Sequence, residues 1–287
     1  MNEPKVSQEK SSEWVQQWNM FQDDELFLFK EWIEPVQLED FEGQEVLEGG
    51  CGGGQHTGMV GRFAKSVTAV DLNTIELAKS RNINLDNLNY VEDDLATMQL
   101  GRQFDVVFSI GVIHHTDNPD ATFENLYQHC RPGGRIIIWC YSTEGNFLAR
   151  YFVEIPRKIF LRYLPKRTLK LLSQVISGLM YPIVHSIYRF NIFKFLPYFE
   201  YFGNFRRLSF ERNVLNVFDK LNAPQTDFIS RKRCEQWLSK DRFEENSISI
   251  RHYKNVSYSL TGIKQNDSEH SIPDECLLDD VKATSRP

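Results

Sequence analysis

Cysteine is sparse in this 287-residue chain and shows no pairing pattern: Cys51, Cys130, Cys140, Cys234 and Cys276 make five, with no C-x-x-C spacing. An odd count without ligand clustering excludes a disulfide-framed small domain and a zinc site, and predicts free thiols in a reducing cytoplasm. A surplus of basic charge is also missing. The 33 Lys and Arg are outnumbered by 39 Asp and Glu, and a net charge of −6 argues against nucleic-acid binding across the whole surface. The opening stretch MNEPKVSQEK has no apolar core, so no secretory signal is expected. No membrane span is expected either. Leu171 to Tyr188 carries no formal charge but contains Gln174, Pro182, His185 and three serines. No internal repeat is visible. What is present is 41% hydrophobic residues, enough for a substantial core and for one domain with an elaboration.

The stretch EVLEGGCGGGQHT, residues 45–57, organises the rest. Val46 and Leu47 close an apolar strand, Glu48 puts a carboxylate at its end, and a glycine-rich bend leads into a helix near Gln55. Such a bend can turn at positive φ and let a ligand lie against bare backbone, while the helix start faces the same spot with its free N–H groups. The dinucleotide fingerprint requires a third glycine where Gln55 stands, so a pyrophosphate-gripping oxidoreductase fits poorly. The pattern present is acid-x-Gly-x-Gly-x-Gly, formed by Glu48, Gly50, Gly52 and Gly54.

Downstream signals follow in a fixed order. Ser66–Val70 reads as a second buried strand ending in Asp71, which lies 21 residues past Gly50, where an open α/β sheet places its ribose-binding acid. An N-cap for a helix over Thr74–Arg81 is the other role open to Asp71. Leu88–Val91 is the third strand and Phe104–Ile110 the fourth, the latter followed by Gly-Val-Ile-His-His. A helix over Pro119–Cys130, an Arg131-Pro132-Gly133-Gly134 turn and a β-branched strand over Arg135–Cys140 come next. Over residues 45–141 this order resembles the class I S-adenosylmethionine-dependent methyltransferases, in particular the ubiquinone/menaquinone-biosynthesis type and related small-molecule enzymes.

The resemblance implies an α/β fold with a Rossmann-like seven-stranded sheet. The chain departs from a minimal member of the family by an N-terminal helical cap and a helical insertion before the last two strands, both read from its own residues. The resemblance also implies S-adenosyl-L-methionine as cofactor, its cationic amino group near Glu48 and its body over Gly50, Cys51, Gly52 and Gly54. Asp71 and Leu72 would meet the ribose and its surroundings, Asp94 and Leu95 the adenine, with Asp93 as an alternative to Asp94, and Ser109 would support the site from the fourth strand. His115 and His114 stand where such sheets place their active crevice, and an imidazole there suits removal of a hydroxyl proton. Either histidine could instead hydrogen-bond the loop or start the next helix. No Asn/Asp-Pro-Pro-Tyr/Phe follows the fourth strand, which disfavours transfer to a nucleobase nitrogen. Tyr141-Ser142-Thr143-Glu144-Gly145 lacks the Asp-Asn pair of magnesium-dependent catechol-type enzymes, so no metal is expected.

The divisions read as a helical cap over 1–44, a cofactor-binding core over 45–145, an insertion over 146–227, the end of the sheet over 228–265 and a disordered tail over 266–287. The cap helix spans Ser12–Ile33, with Trp14, Trp18 and Phe21 on one face. Within the insertion, residues 150–212 hold twelve Lys and Arg against three acids, Glu154, Glu200 and Glu211. Basic flanks around an aromatic, apolar helix describe an interfacial helix or a lid over a lipid-like acceptor. They equally describe an insertion packed on the sheet with solvated lysines. The expected acceptor is a small, lipid-linked or glycan-like molecule. The expected location is cytoplasmic, with peripheral contact at the inner membrane face through residues 150–212. Nucleic acid is an unlikely partner, and a non-catalytic protein docking on membrane or RNA is the competing reading.

Overall fold

The computed structural model describes residues 26–266. Its first helix, α1 (Leu26–Ile33), is the end of the expected cap helix; Trp14, Trp18, Phe21 and the expected tail lie outside the described residues. A seven-stranded sheet follows, built from β1 (Glu45–Gly49), β2 (Ser66–Asp71), β3 (Leu88–Glu92), β4 (Phe104–Ile110), β5 (Cys130–Tyr141), β6 (Ser249–Tyr253) and β7 (Ser257–Ile263) in the order 3-2-1-4-5-7-6. The first five strands run parallel, and β7 enters antiparallel between β5 and β6. The central strands β1, β2 and β4 are buried along nearly their whole length, as uninterrupted apolar runs require when helices cover both faces.

The crossover helices α2 (Gln55–Gly61), α3 (Ile75–Arg81) and α4 (Pro119–His129) fall where the sequence placed them. Asn118 caps α4 by accepting from the Ala121 N–H at 3.1 Å, with Pro119 at the first helical position. One expectation is corrected. The Arg131–Gly134 segment is no free turn but an irregular start of β5. Phe104 pairs with Cys130 and Val106 with Arg135, the chain between bulging at Gly133 (φ +73°). Gly133 donates to the Lys264 carbonyl at 2.9 Å and Lys264 donates to Gly134 at 2.8 Å, so the bulge is fastened to the end of the last strand. The β6–β7 hairpin turns at Lys254 and Asn255, both at positive φ, which matches the right-handed twist of the flanking strands.

Between β5 and β6 the insertion folds as its own helical layer. It begins with α5 (Phe147–Ala149), a π-helical stretch (Arg150–Glu154) and α6 (Ile155–Ile159), then α7 (Lys166–Ser186), α8 (Phe199–Phe205) and α9 (Phe210–Asn222). A further helix, α10 (Arg231–Trp237), returns the chain to the sheet. The insertion has a separate core: Leu169 and Val184 of α7 pack with Val214, Leu215, Phe218 and Leu221 of α9. Ser209 starts α9 by accepting from the Arg212 N–H at 3.1 Å. The two sheet faces hold the other cores, one around Phe123, Ile136, Ile138 and Trp237, the other around Phe29, Phe41, Val67 and Phe108.

Candidate active site

β1 ends at the glycine bend, and the bend is tied to β2. Gly50 and Cys51 N–H groups both donate to the Val70 carbonyl, at 2.8 and 3.1 Å, and Gly52 N–H donates to the Asp71 carboxylate at 2.9 Å. Gly50, Gly52 and Gly54 all take positive φ. Two of these glycines answer to the protein's own packing. A Cβ at Gly50 would come within 2.4 Å of the Val112 side chain, and one at Gly54 within 2.8 Å of the Ala78 backbone on α3. Gly54→Ala is therefore expected to lower stability by about 1–3 kcal/mol through backbone strain and crowding, read as a lower urea midpoint.

Glu48 is buried beneath the bend and accepts a short hydrogen bond from the Thr57 hydroxyl. No cation lies within ion-pair distance of it among the described residues. Burial pushes its carboxyl up to about 8, and the nearby Asp71 carboxylate adds to the rise. Glu48 and Asp71 therefore share one electrostatic environment. Both also push up the buried Cys51 thiol, after burial itself. A desolvated carboxylate of this kind fits a cationic ammonium, and the donor set as a whole fits a cofactor with an ammonium and ribose hydroxyls.

A pH dependence follows. Below about 8 the Glu48 carboxyl of the cofactor-free protein is largely protonated, and a cation ionises it on binding. Affinity for S-adenosylmethionine is thus expected to rise with pH up to about 8, with proton release measurable by calorimetry in buffers of different ionisation enthalpy. Stability of the cofactor-free protein has the opposite slope. The folded state holds a proton that the unfolded chain loses near 4.5, so this contribution is complete below 4.5 and is lost as pH rises through about 8. Glu48→Gln should flatten both trends.

The remaining sequence-predicted positions divide. Asp71 does not cap α3: it holds Gly52 and accepts weakly from Asn73 N–H at 3.3 Å, while Thr74 precedes the helix. Leu72 projects beside it, 55% exposed, an unusual setting for leucine and a suitable rim for an aromatic base. Asp94 is exposed and accepts from Ala96 N–H at 2.8 Å, whereas the Leu95 side chain is buried in the sheet core. Ser109 is fully buried and donates to the Gly49 carbonyl at 2.7 Å, bracing β1 from β4.

The two histidines part company. His114 is fully buried; its Nδ1 accepts from Tyr141 N–H at 3.4 Å and its Nε2 has no partner among the described residues. Burial, then the neighbouring His115 and Lys220, holds its pKa well below the ordinary value. It does not line the cavity, so the geometry favours His115 alone as a base. His115 Nδ1 donates to the Gln225 carbonyl at 2.7 Å, which leaves the basic lone pair on Nε2. Burial lowers its pKa despite Asp219 and the Gln225 carbonyl, so the ring is neutral and able to accept a proton.

His115 lines a cavity of about 320 Å³ that the sequence did not disclose. Its floor is the carboxyl edge of the sheet, with Trp139 and Tyr141 at the end of β5, and its roof is the insertion, with Ile176, Met180, Tyr201 and Val217. Leu28 and Trp32 of α1 close one side. Few polar groups enter it. Tyr141 donates to Asp219 at 3.2 Å, and Lys220 lies 5.0 Å from the Tyr141 ring centre and 5.3 Å from that of Tyr201. Deeper in the insertion, Arg157 is buried and binds Glu154 at 2.7 Å and Thr226 at 2.9 Å. The signal for this cavity lay in the aromatic load of residues 146–227, but which of those rings face inward depends on how α7 and α9 pack.

Sheet order, the acid-glycine bend and the carboxylate at the end of β2 fit a Rossmann-like methyltransferase fold. Residues 47–138 match the family model described as a methyltransferase domain. The chain is similar to the mitochondrial ubiquinone biosynthesis O-methyltransferase of Schizosaccharomyces pombe, 33% identical over 135 residues, covering 45% of this chain and 48% of the relative. It is also similar to the ubiquinone biosynthesis O-methyltransferase of Rickettsia canadensis, 30% identical over 151 residues, covering 47% and 63% respectively. Among solved structures, a DhpI–SAM–HEP complex aligns with 50% of this chain and 69% of its own at 23% identity and a TM-score of 0.42. Residues 47–138 are thus similar to S-adenosylmethionine-dependent methyltransferase domains, and just under half of the chain is similar to ubiquinone biosynthesis O-methyltransferases. The chain spans about half to just under two thirds of the length of these curated relatives.

Proposed function

We propose that this protein transfers a methyl group from S-adenosylmethionine to an oxygen of a small, lipid-linked acceptor held in the cavity between sheet and insertion. The observation that carries the reading is the placement of His115. It sits on the wall of an apolar cavity, three residues after Val112, whose side chain packs on Gly50 of the cofactor bend. The relatives that are O-methyltransferases of ubiquinone biosynthesis support oxygen as the accepting atom and a lipid-linked quinone precursor as the acceptor class.

S-adenosylmethionine supplies a methyl group on a sulfonium, already activated for displacement. The protein's contribution is to orient the acceptor and exclude water, which suits an apolar, roofed cavity. Glu48 and Asp71 hold the cofactor's ammonium and ribose, and Leu72 and Asp94 flank its base. His115 Nε2 accepts the acceptor's hydroxyl proton. Among the described residues no group of side chains could hold a metal ion, and the proton transfer as written requires none.

We further propose that the insertion rests on an anionic membrane surface. Seventeen of the twenty exposed large hydrophobic residues fall between Phe147 and Phe210. The exposed cations Arg150, Lys158, Arg167, Arg189 and Lys194 are interleaved with them along the chain. No described helix is long and apolar enough to cross a membrane, so the contact is peripheral, on the cytoplasmic leaflet whose anionic lipids attract such a surface. Phe152 both lines the cavity and is 72% exposed, which supports an acceptor entrance on this face.

The test is incubation with methyl-labelled S-adenosylmethionine and a lipid extract of the host. Label entering an alkali-stable lipid fraction, and falling about 100-fold or more with His115→Ala, is expected. Absence of S-adenosylmethionine binding by calorimetry would remove the proposal.

A further inference from the structure

The glycine bend and the cavity are neighbours without being one space. The cavity lining includes Trp32, His115 and Trp139 but neither Glu48 nor Gly50. What lies between them is aromatic. Gly111, the residue after β4, donates to the Trp139 carbonyl at 2.9 Å, and a Cβ on it would meet only the Trp139 ring, 3.7 Å away. Val112, next in the chain, packs on Gly50, so Trp139 is joined to the bend through two consecutive residues. The Trp32 ring of α1 has its centre 4.7 Å from that of Trp139 and meets the ring of His56 edge-on at 6.1 Å. His56 is the second residue of α2, two places after Gly54, and Phe29 stacks on it at 4.6 Å. Phe29 and Ile33 bury α1 in the sheet core, which fixes Trp32 over this junction. Indole is the side-chain ring that attracts a cation most strongly. Elsewhere the protein fills such rings itself, with Lys220 beside Tyr141 and Tyr201 and Arg233 over Trp237. Among the described residues no lysine or arginine lies over Trp32 or Trp139.

We propose that Trp32 and Trp139 form an aromatic seat for the sulfonium of S-adenosylmethionine, which binds the charged cofactor in preference to the neutral thioether left after transfer. This rests on the reading of the glycine bend as the site of that cofactor. A sulfonium has no N–H or O–H and cannot donate an ordinary hydrogen bond. The carboxylates of the site have other work, Glu48 with the ammonium and Asp71 with the ribose. The sulfonium is left to groups that attract positive charge without forming an ion pair. An indole face does this through its quadrupole, and more strongly where water is excluded. The methyl has to pass from the bend to the cavity, and the two indoles stand on that path. As the S–CH₃ bond breaks, its electron pair stays on sulfur, the methyl joins the acceptor oxygen, and the positive charge leaves the seat. The rings then hold the thioether no better than any apolar surface would. Product release is favoured, and the spent cofactor competes weakly with fresh cofactor.

The test compares three ligands by calorimetric titration of the full-length protein. These are S-adenosylmethionine, S-adenosylhomocysteine, which is neutral at sulfur, and sinefungin, which carries a protonated amine in place of the S-methyl group. Trp32→Leu is expected to lose about 10-fold in affinity for S-adenosylmethionine and sinefungin but about 2-fold or less for S-adenosylhomocysteine. Trp32→Phe, still aromatic, should retain most of the preference, and Trp139→Leu should repeat the pattern of Trp32→Leu. Thermal melting and S-adenosylhomocysteine binding report whether each variant is folded. Equal losses for charged and neutral ligands in the folded variants, or no loss for either, would overturn the assignment. Failure of wild type to bind both S-adenosylmethionine and S-adenosylhomocysteine would instead overturn the methyltransferase reading beneath it.

Discussion

Asp71→Ala is expected to reduce affinity for S-adenosylmethionine by about 100-fold, the largest effect of any single substitution in the cofactor site. Two losses combine. The carboxylate is the acceptor available to ribose hydroxyls at the end of β2, and hydrogen bonds to a charged group contribute about 1.5–3 kcal/mol. It also accepts the Gly52 N–H at 2.9 Å, so its removal frees the middle of the glycine bend. Together these amount to about 3 kcal/mol, or roughly two factors of ten. Asp71→Asn keeps an acceptor for Gly52 and should lose less. Calorimetric titration decides the matter, and undiminished binding by Asp71→Ala would mean that the cofactor lies elsewhere.

Replacing Leu171 and Leu179 together by serine should weaken binding to vesicles containing phosphatidylglycerol by about 30-fold while leaving the melting temperature unchanged. The two residues belong to one exposed stripe on α7, Leu171, Val175, Leu179 and Ile183, each one turn from the next. The opposite face of the same helix is already occupied, with Leu169 and Val184 buried against α9. A helix apolar on both faces has a second face to cover. Full burial of a leucine contributes about 1.5–3 kcal/mol, and partial burial at an interface about half of that. Two such losses come to about 2 kcal/mol. The interleaved lysines and arginines should make wild-type binding fall with added salt, whereas the serine variant loses the apolar part at every salt concentration. Vesicle co-sedimentation reads both, and equal binding by wild type and variant would assign the stripe to another partner.

Order along the chain determined much of this protein. The acid-glycine bend at 48–54, the apolar runs of β1, β2 and β4, Asp71 at its strand end and the Lys254-Asn255 hairpin are local signals. Each depends on φ, side-chain period or spacing within one βα unit, and each stands where the sequence placed it. Where the sequence left a choice, tertiary structure decided it. His114 and His115 are neighbours in the chain, yet the turn after β4 sends one ring into the core and the other into a cavity. The Arg131–Gly134 turn became the fastened start of β5 because the end of β7 supplied hydrogen-bond partners from more than a hundred residues away. Whether the aromatics of the insertion would fill a core, line an acceptor cavity or stay exposed was not legible in their order. The period of α7 is apolar on both faces, and only the docking of α9 settles which face turns inward. Lys220 reads in the sequence as one more surface lysine of an amphipathic helix. The stacking of that helix over Tyr141 and Tyr201 makes it a charged group inside an apolar cavity, because burial and partners belong to packing and not to sequence position.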